Sequence, residues 1–264
     1  MNLKEICNKV RSLSRTTGDF IRQQREQFSF DRVETKGHND FVSYVDKQTE
    51  MQLVQGLKDI LPQAGFLAEE GSGVHKPGGL NWVIDPLDGT TNFIHGLPPY
   101  AISIALMDNE TLCLGVVYEV ERDECFYSWG DDKAWLDGNE IRVSSIATVE
   151  NSLIATGFPY YNYERIEPFF KTMEHFMRGS HGLRRLGSAA TDLAYVACGR
   201  FEAFYEYSLS PWDVAAGAFI VEQAGGKVSD FKGENNYIFG KEIVAANAGV
   251  FQEFLSVVSG YMLA

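Results

Sequence analysis

An apolar run that ends in acidic residues constrains this chain more than any other stretch. Four of the five residues 80–84 are apolar or aromatic, so the run predicts a buried strand. The pattern stops at Pro86 and Gly89, two residues that interrupt regular structure. We therefore expect Asp85 and Asp88 at the end of a buried strand.

The two aspartates are spaced so that they could bind a cation. They flank a proline that cannot donate a backbone hydrogen bond, so both carboxylates and the carbonyl of Leu87 can turn toward one point. Oxygen ligands of this kind suit a hard cation. Gly89 and Thr90 follow, where backbone N–H groups suit a phosphate. An Asx-type turn, with Asp85 and Asp88 as caps, fits the same residues and stays open.

Three motifs, in order along the chain, resemble one known family. DPLDGTTN, which begins at Asp85, resembles the DPxDGTxN signature of the inositol monophosphatase family, within the lithium-sensitive, magnesium-dependent sugar-phosphatase superfamily. LAEEGS at residues 67–72 and PWDVAAGAFIVEQAGG at residues 211–226 resemble two further motifs. Ala68 stands where the family usually has glycine. The resemblance implies an α+β protein built as a layered αβαβα sandwich.

Composition and charge exclude several classes of partner. The 264 residues are 45% hydrophobic, which is enough for a large core in one or two domains. A formal net charge of −13 argues against a nucleic-acid or anionic-membrane partner. No apolar run is long enough to cross a bilayer, no signal peptide is visible, and the four cysteines lack metal or disulfide spacing. We expect a cytoplasmic protein with reduced cysteines.

We expect two domains, residues 1–146 and residues 147–264. The first opens on an amphipathic helix over residues 2–28 and continues as a meander of mostly antiparallel strands over residues 100–136. The second alternates strand and helix, which is an α/β pattern. The first domain carries the main metal and phosphate motif, and the second supplies Asp213 and the substrate contacts.

Further acids stand at the ends of predicted elements. Glu69 and Glu70 follow a short predicted strand, on which neighbouring side chains point to opposite faces, so only one can face the site. The resemblance selects Glu69. Asp213 begins an apolar helix, where the helix dipole favours a carboxylate and where a capping role fits equally. Asp46 is predicted as the N-cap of the second helix.

The resemblance implies two metal positions. The first would take Glu69, Asp85 and the carbonyl of Leu87. The second would take Asp85, Asp88 and Asp213. One shared carboxylate suits two cations roughly 3.5–4 Å apart. Because every proposed ligand is an oxygen, we expect magnesium and not zinc.

The reaction implied is hydrolysis of a phosphate monoester by an in-line attack of water, without a phosphoenzyme. Cations would activate the water and stabilise the departing oxygen, with Asp85 shared between them. Glu69 and Thr90 would orient and deprotonate the water. Backbone N–H groups of Gly89 and Thr90 would hold the phosphate oxygens. The substrate contacts assigned to the motifs are Leu87, Asp88, Gly89, Thr90 and Asp213.

The substrate's organic part would meet residues of the second half. RLGSAA resembles the family's sugar-contact loop, which implicates Gly187, Ser188 and Ala189. Glu206 lies seven residues before Asp213, where inositol monophosphatases carry a glutamate that accepts hydrogen bonds from ring hydroxyls. A surface charge at the end of a strand is the alternative for Glu206.

The leading function is magnesium-dependent hydrolysis of myo-inositol monophosphate, a small phosphorylated polyol. Related phosphatases act on fructose 1,6-bisphosphate, 3′-phosphoadenosine 5′-phosphate, histidinol phosphate or NADP, and the motifs do not separate these substrates. A different class is an interaction protein that keeps the phosphatase fold.

The resemblance also implies inhibition by lithium. Together with Phe158, Tyr160, Tyr161 and Phe169, it predicts a homodimer, although these residues also fit a core.

Overall fold

The structure, a computed structural model, describes residues 1–29, 33–37, 40–159 and 162–264. Of residues 33–37 and 40–42 it describes the backbone alone. Tyr160 and Tyr161, on which part of the dimer prediction rests, lie outside the described residues. That part of the prediction stays a prediction.

The first half of the chain places helices on a large antiparallel sheet. Its elements are α1 (Leu3–Glu26), β1 (Val33–Gly37), β2 (Asp40–Ser43), α2 (Tyr44–Ile60), β3 (Gly65–Ala68), β4 (Leu80–Asp88), α3 (Thr90–His95), β5 (Ala101–Asp108), β6 (Thr111–Glu119), β7 (Glu124–Trp129), β8 (Ala134–Leu136) and β9 (Asn139–Ile141). β1 and β2 form an antiparallel hairpin. β3 to β9 pair in chain order, and each of these pairs is antiparallel except β3 with β4. The predicted meander is confirmed.

The second half alternates strands and helices around a mixed sheet. Its elements are a 3₁₀ turn (Val149–Asn151), β10 (Leu153–Thr156), α4 (Ile166–Gly179), β11 (Gly182–Arg184), α5 (Ala189–Ala197), β12 (Ala203–Tyr207), α6 (Pro211–Gln223), β13 (Lys227–Ser229), β14 (Glu242–Ala246) and α7 (Phe251–Met262). The strand order is β11-β10-β12-β14-β13. β10 runs parallel to β11 and β12, whereas β14 runs antiparallel to β12 and β13. The α/β pattern is confirmed.

Among the residues that the structure describes, three apolar cores hold five layers together. One core joins α1 and α2 to the outer face of the first sheet, through residues such as Leu53 and Trp82. A middle core packs α5 and α6 between the two sheets, with Val83 on one side and Phe204 on the other. A third core packs α4 and α7 on the second sheet. The predicted αβαβα sandwich is confirmed.

The opening helix shows how the sequence forms this arrangement. Buried residues of α1, among them Ile6, Val10 and Ile21, lie on one face because they recur at helical spacing. Asn2 caps the helix by accepting a hydrogen bond from Glu5 N–H at 3.2 Å. Within the described ranges, none of the helices is both long enough and apolar enough to cross a membrane.

Two helices begin earlier than predicted, and both corrections concern site residues. Asp46 is not the N-cap of α2: Ser43 is, and its N–H donates to Asp46 Oδ2 at 2.8 Å. Asp213 likewise lies in the first turn of α6, after Pro211, and accepts from Ser210 N–H at 2.7 Å. In each case a serine takes the cap position and an aspartate three residues later bonds back to it.

Candidate active site

The acidic motif occupies a distortion at the end of β4. The sequence predicted that the strand breaks at Pro86, but β4 continues to Asp88. Between Asp85 and Asp88 its register with β5 shifts by one residue, which is a bulge. Proline is tolerated there because the ladder is already interrupted. Inside the bulge, Leu87 N–H donates to Asp85 Oδ1 at 2.9 Å, so the predicted Asx-type bond is present as well.

Asp85 is a buried carboxylate with the partly buried acids Glu69, Asp88 and Asp213 around it. Its side chain is only 2% exposed. Burial and the charges of Glu69, Asp88 and Asp213 hold the pKa of Asp85 well above its ordinary value. The structure therefore brings together the four acids predicted as metal ligands.

The four acids reach this cluster from three elements, because Asp85 and Asp88 both lie on β4. Glu69 follows β3, which pairs in parallel with β4, and its N–H donates to Ile84 O at 3.2 Å. Asp213 comes from the first turn of α6, across the chain's midpoint. Burial and the charge of Asp88 raise the pKa of Asp213. Parallel pairing and one helix start thus position two acids that are far apart in sequence.

Asp88 ties the acidic motif to the predicted sugar-contact loop. Its Oδ2 accepts from Ser188 Oγ at 2.6 Å and from Ala190 N–H at 2.7 Å. Ser188 is also the N-cap of α5, so Asp88 lies at the N-terminus of that helix. Burial raises the pKa of Asp88, while these hydrogen bonds oppose the rise.

Two glycines allow the loops to approach each other. Gly89 and Gly187 both have positive φ, 93° and 90°, which favours glycine. A Cβ on Gly89 would lie 3.1 Å from the carbonyl oxygen of Gly187. Asn92, for which no role was predicted, bridges the loops by donating to Pro99 O and Leu186 O at 2.8 Å each. Ala189 follows in the first turn of α5.

Thr90 is held by an acid that was predicted only as a cap. Its hydroxyl lies 2.8 Å from Asp46 Oδ1 and 3.0 Å from Leu87 O. Asp46 is 1% exposed, and burial raises its pKa while the hydrogen bonds from Ser43 and Thr90 oppose the rise. Asp46 therefore contributes to the site as well as to the helix start, and only a role at the helix start was predicted.

Glu206 faces the same cluster from the second sheet. It is 6% exposed, so the alternative of a surface charge is wrong. Burial and the charges of Asp213 and Asp88 hold its pKa well above the ordinary value. A Cβ on Gly157 would lie 2.0 Å from the Glu206 carboxyl carbon, so the glutamate lies directly over that glycine. The role of Gly157 was not predicted.

The match to a known protein family covers almost the whole chain. A profile of the inositol monophosphatase family matches residues 2–259, well beyond the three motifs. The chain belongs to the inositol monophosphatase family.

Relatives of this family member carry two kinds of name. Nus factor SuhB of Salmonella typhimurium is 39% identical over 244 residues, which cover 92% of this chain and 91% of that protein. The solved structure of extragenic suppressor protein suhB from Bartonella henselae has a TM-score of 0.91 and 34% identity, covering 95% of this chain and 97% of that one. The solved structure of inositol monophosphatase from Anabaena (Nostoc) has a TM-score of 0.87 and 31% identity, covering 99% of this chain and 98% of that one.

The acids of this family member fit a hard cation by their chemistry. Their ligand atoms are all carboxylate oxygens. Burial and the charges of the neighbouring acids raise the pKa of Asp85, and a divalent cation would reverse this rise. Across the described ranges, no three His, Cys, Asp or Glu side chains already stand in ligand geometry. Asp88 and Asp213 instead direct one oxygen each to backbone N–H groups. The acids are gathered, but they are not arranged as a finished ligand shell.

One further buried acid of the site gave little signal in the sequence. Asp192 on α5 is 1% exposed, and its Oδ1 has no hydrogen-bond partner among the described residues. Burial, together with the charges of Glu206 and Asp88, holds its pKa well above the ordinary value. Its only mark in the sequence is an acid inside the otherwise apolar helix AATDLAYVA.

Proposed function

We propose that this chain is a magnesium-dependent phosphatase of small phosphorylated polyols, with myo-inositol monophosphate as its leading substrate. Membership of the family supports phosphatase activity, and the name of the Anabaena relative supports the substrate. The observation that carries the proposal is the cluster of the buried Asp85 with the partly buried Glu69, Asp88 and Asp213. Four such acids without a cation would destabilise the fold, so we infer a binding function for them.

We propose that Glu69, Asp85 and the Leu87 carbonyl hold one magnesium ion. Asp85, Asp88 and Asp213 would hold a second. Bound there, magnesium would supply activation of the attacking water and neutralise charge on the phosphate and the departing oxygen.

The chain's own groups would orient the reactants. The Thr90 hydroxyl, fixed against Asp46 and Leu87 O, would hold the attacking water together with Glu69. Backbone N–H groups of Gly89 and Thr90 would position the phosphate oxygens. Such positioning is the main protein contribution to phosphoryl transfer.

We propose that substrate hydroxyls meet the surface formed by residues 187–189 and Glu206. The bond from Ser188 to Asp88 connects this surface to the acidic motif, and the buried Glu206 carboxylate offers hydrogen-bond acceptors beside it. Charged acceptors favour hydroxyl-rich substrates over additional phosphate groups, which would be repelled. A polyol monophosphate fits these conditions better than a bisphosphate or a nucleotide.

Release of phosphate from a panel of substrates tests the proposal. The panel contains myo-inositol 1-phosphate, glycerol 2-phosphate, fructose 1,6-bisphosphate, 3′-phosphoadenosine 5′-phosphate, histidinol phosphate and NADP, each with and without magnesium. We expect the highest kcat/KM for the inositol ester, and only with magnesium. A higher value for another substrate would reassign the specificity, and no hydrolysis of any substrate would reject the activity.

A role as an interaction protein is the second candidate, because the Salmonella relative is named Nus factor SuhB. The Asp85→Asn variant separates the two candidates, since it should abolish catalysis while leaving the surface intact. If this variant restores wild-type growth to a strain that lacks the protein, the partner role is supported. Restoration by the wild type alone would support catalysis. With a net charge of −13, we expect a protein partner and not a nucleic acid.

We further propose that the protein is a cytoplasmic homodimer inhibited by lithium. Phe169 is fully buried in the core, whereas Phe158 is 43% exposed and Phe170 is 54% exposed, so the latter pair offers the apolar surface. A monomeric mass in light scattering would reject the dimer.

Lithium inhibition should be uncompetitive and should weaken in Asp213→Asn, because Asp213 is assigned only to the second metal position.

A further inference from the structure

A fully buried glutamate on α2 binds the loop that carries Glu69. Glu50 is 0% exposed, although glutamate is rarely buried without partners. Its Oε2 accepts from Glu70 N–H and its Oε1 accepts from Ser72 N–H, each at 2.7 Å. Both carboxylate oxygens are therefore used by backbone donors of one loop, and such charge-assisted bonds are stronger than neutral ones.

The loop bound by Glu50 begins at the acid proposed as a metal ligand. Glu69 leaves β3 beside β4, and the chain then turns, with Gly71 N–H donating to Ala68 O at 3.2 Å and Gly71 at a φ of 81°. The strand pairing of β3 with β4 ends at Ala68, so it does not fix the residues of this turn. Two bonds to Glu50 fix the residues on either side of this glycine.

The same helix face also holds the other half of the site. Asp46 lies four residues before Glu50 on α2, so the two side chains occupy one face. Asp46 holds the Thr90 hydroxyl, and Glu50 holds the loop that follows Glu69. One rigid element therefore sets the spacing between two groups that are proposed to share the attacking water.

We infer that Glu50 is a positioning residue that places the Glu69 carboxylate for binding of the divalent cation. The inference rests on the proposed function for its catalytic consequence, but its first consequence is on metal affinity. Glu50 does not touch the reacting atoms. It acts by holding the backbone on both sides of the turn, as groups that support metal ligands do in other proteins.

The decisive variant is Glu50→Gln. The amide keeps the size of the side chain, but it offers one acceptor and turns an NH₂ group toward the second backbone N–H. Loss of such supporting groups commonly weakens metal affinity by about 10–100-fold. We therefore expect Mn²⁺ binding, followed by electron paramagnetic resonance without substrate, to weaken at least about tenfold. The magnesium concentration for half-maximal phosphate release should rise by a similar factor.

Asp230→Asn is a matched control for the loss of a buried acceptor. Asp230 is 5% exposed and its Oδ1 accepts from Lys232 N–H at 2.9 Å and Glu234 N–H at 2.8 Å. It thus holds a loop as Glu50 does, but at the far edge of the second sheet, after β13. We expect the variant to lower thermal stability while keeping Mn²⁺ affinity within about twofold of the wild type.

The outcomes separate this inference from the proposed function. Wild-type Mn²⁺ affinity in Glu50→Gln, or an equal loss in Asp230→Asn, would overturn the positioning role even if the enzyme is active. A wild type that binds no Mn²⁺ would overturn it too. A wild type that binds Mn²⁺ but hydrolyses no ester would reject only the function, and the affinity comparison would still decide the role of Glu50. If Glu50→Gln does not fold, Glu50→Asp, which keeps the charge but retracts it, should show the same direction of loss.

Discussion

Gly157 and Glu206 form a pair in which the smaller residue makes room for the functional one. Gly157 follows β10, and β10 pairs in parallel with the strand that carries Glu206. A methyl group at residue 157 would lie 2.0 Å from the glutamate's carboxyl carbon, which real structures do not tolerate. The glutamate would have to move away from its present position.

We therefore expect Gly157→Ala to impair recognition of the polyol. Hydrogen bonds to a charged group are worth about 1.5–3 kcal/mol, so kcat/KM for inositol monophosphate should fall about tenfold to a hundredfold. Glycerol 2-phosphate, which is flexible, should lose less, and Glu206→Gln should give the same selective loss. Gly260→Ala is the control, because nothing lies within 4 Å of a Cβ there. Equal losses on both substrates would remove Glu206 from the recognition site.

Asp85 gives the sharpest test of the metal assignment. Because it is proposed to bridge both ions, Asp85→Asn should lower kcat by at least about a hundredfold at saturating magnesium. The same change removes a buried charge that neighbouring carboxylates repel, so it should not lower the midpoint of thermal unfolding in magnesium-free buffer. Magnesium should raise that midpoint for the wild type but not for the variant. Near wild-type turnover would contradict the two-metal assignment.

Glu119 offers a pH-dependent test away from the proposed ligands. It is 0% exposed, its Oε1 has no partner among the described residues, and burial raises its pKa from 4.5. The stability that it contributes is therefore present below about pH 4.5 and is lost as the pH rises through the raised value. We expect the stability of Glu119→Gln relative to the wild type, measured by urea unfolding, to increase from pH 4 to pH 8. A difference that does not change with pH would contradict this.

At the scale of elements, α6 packs closely on β6. A Cβ on Gly115 would lie 2.7 Å from the backbone carbonyl oxygen of Ala216. Because backbone cannot rotate away, Gly115→Ala should push α6 outward and lower the free energy of unfolding by about 1–3 kcal/mol. Asp213 lies on the first turn of α6, so magnesium affinity should fall as well. Gly179→Ala, where nothing lies within 4 Å, is the control for urea unfolding and for metal titration.

The sequence predicted the elements well where apolar periodicity decides them. The opening helix, predicted over residues 2–28, is α1, and β5 to β8 occupy the meander predicted over residues 100–136. The predicted starts of α2 and α6 were wrong by two or three residues, because a serine and an aspartate three residues apart can both cap a helix. Only the folded chain shows that Ser43 and Ser210 take the cap position.

The site was predictable only where a motif was present. Asp85 and Asp88 stand in a recognisable string, and resemblance implied Glu69, Asp213 and Glu206. Asp192 and Gly157 could not be found in this way, because their importance arises from contacts between segments far apart in the chain. A buried carboxylate and a missing methyl group leave no local pattern in sequence.

At the scale of the whole molecule, the two predicted domains share one core. We propose residues 1–146 and 147–264 as the two halves, each with its own sheet. The middle core, however, draws on Val83 and Val117 from the first sheet and on Phe204 and Ala245 from the second. α5 and α6, which fill the space between them, belong to the second half but also cover the first sheet. Neither half can bury its apolar face alone.

We therefore expect the halves to unfold together. Separating them would expose the middle core from both sides, and burial of apolar surface is worth about 25 cal/mol per Å². Asp88 and Ser188 add a direct bond between the halves at 2.6 Å. Scanning calorimetry should show one transition whose calorimetric and van't Hoff enthalpies agree at fixed protein concentration. Residues 1–146 expressed alone should lack a cooperative transition, because the inner face of the first sheet would then meet water. Two separate transitions, or a cooperatively folded fragment, would mean that the boundary near residue 146 divides independent domains and that the shared site forms only after they dock.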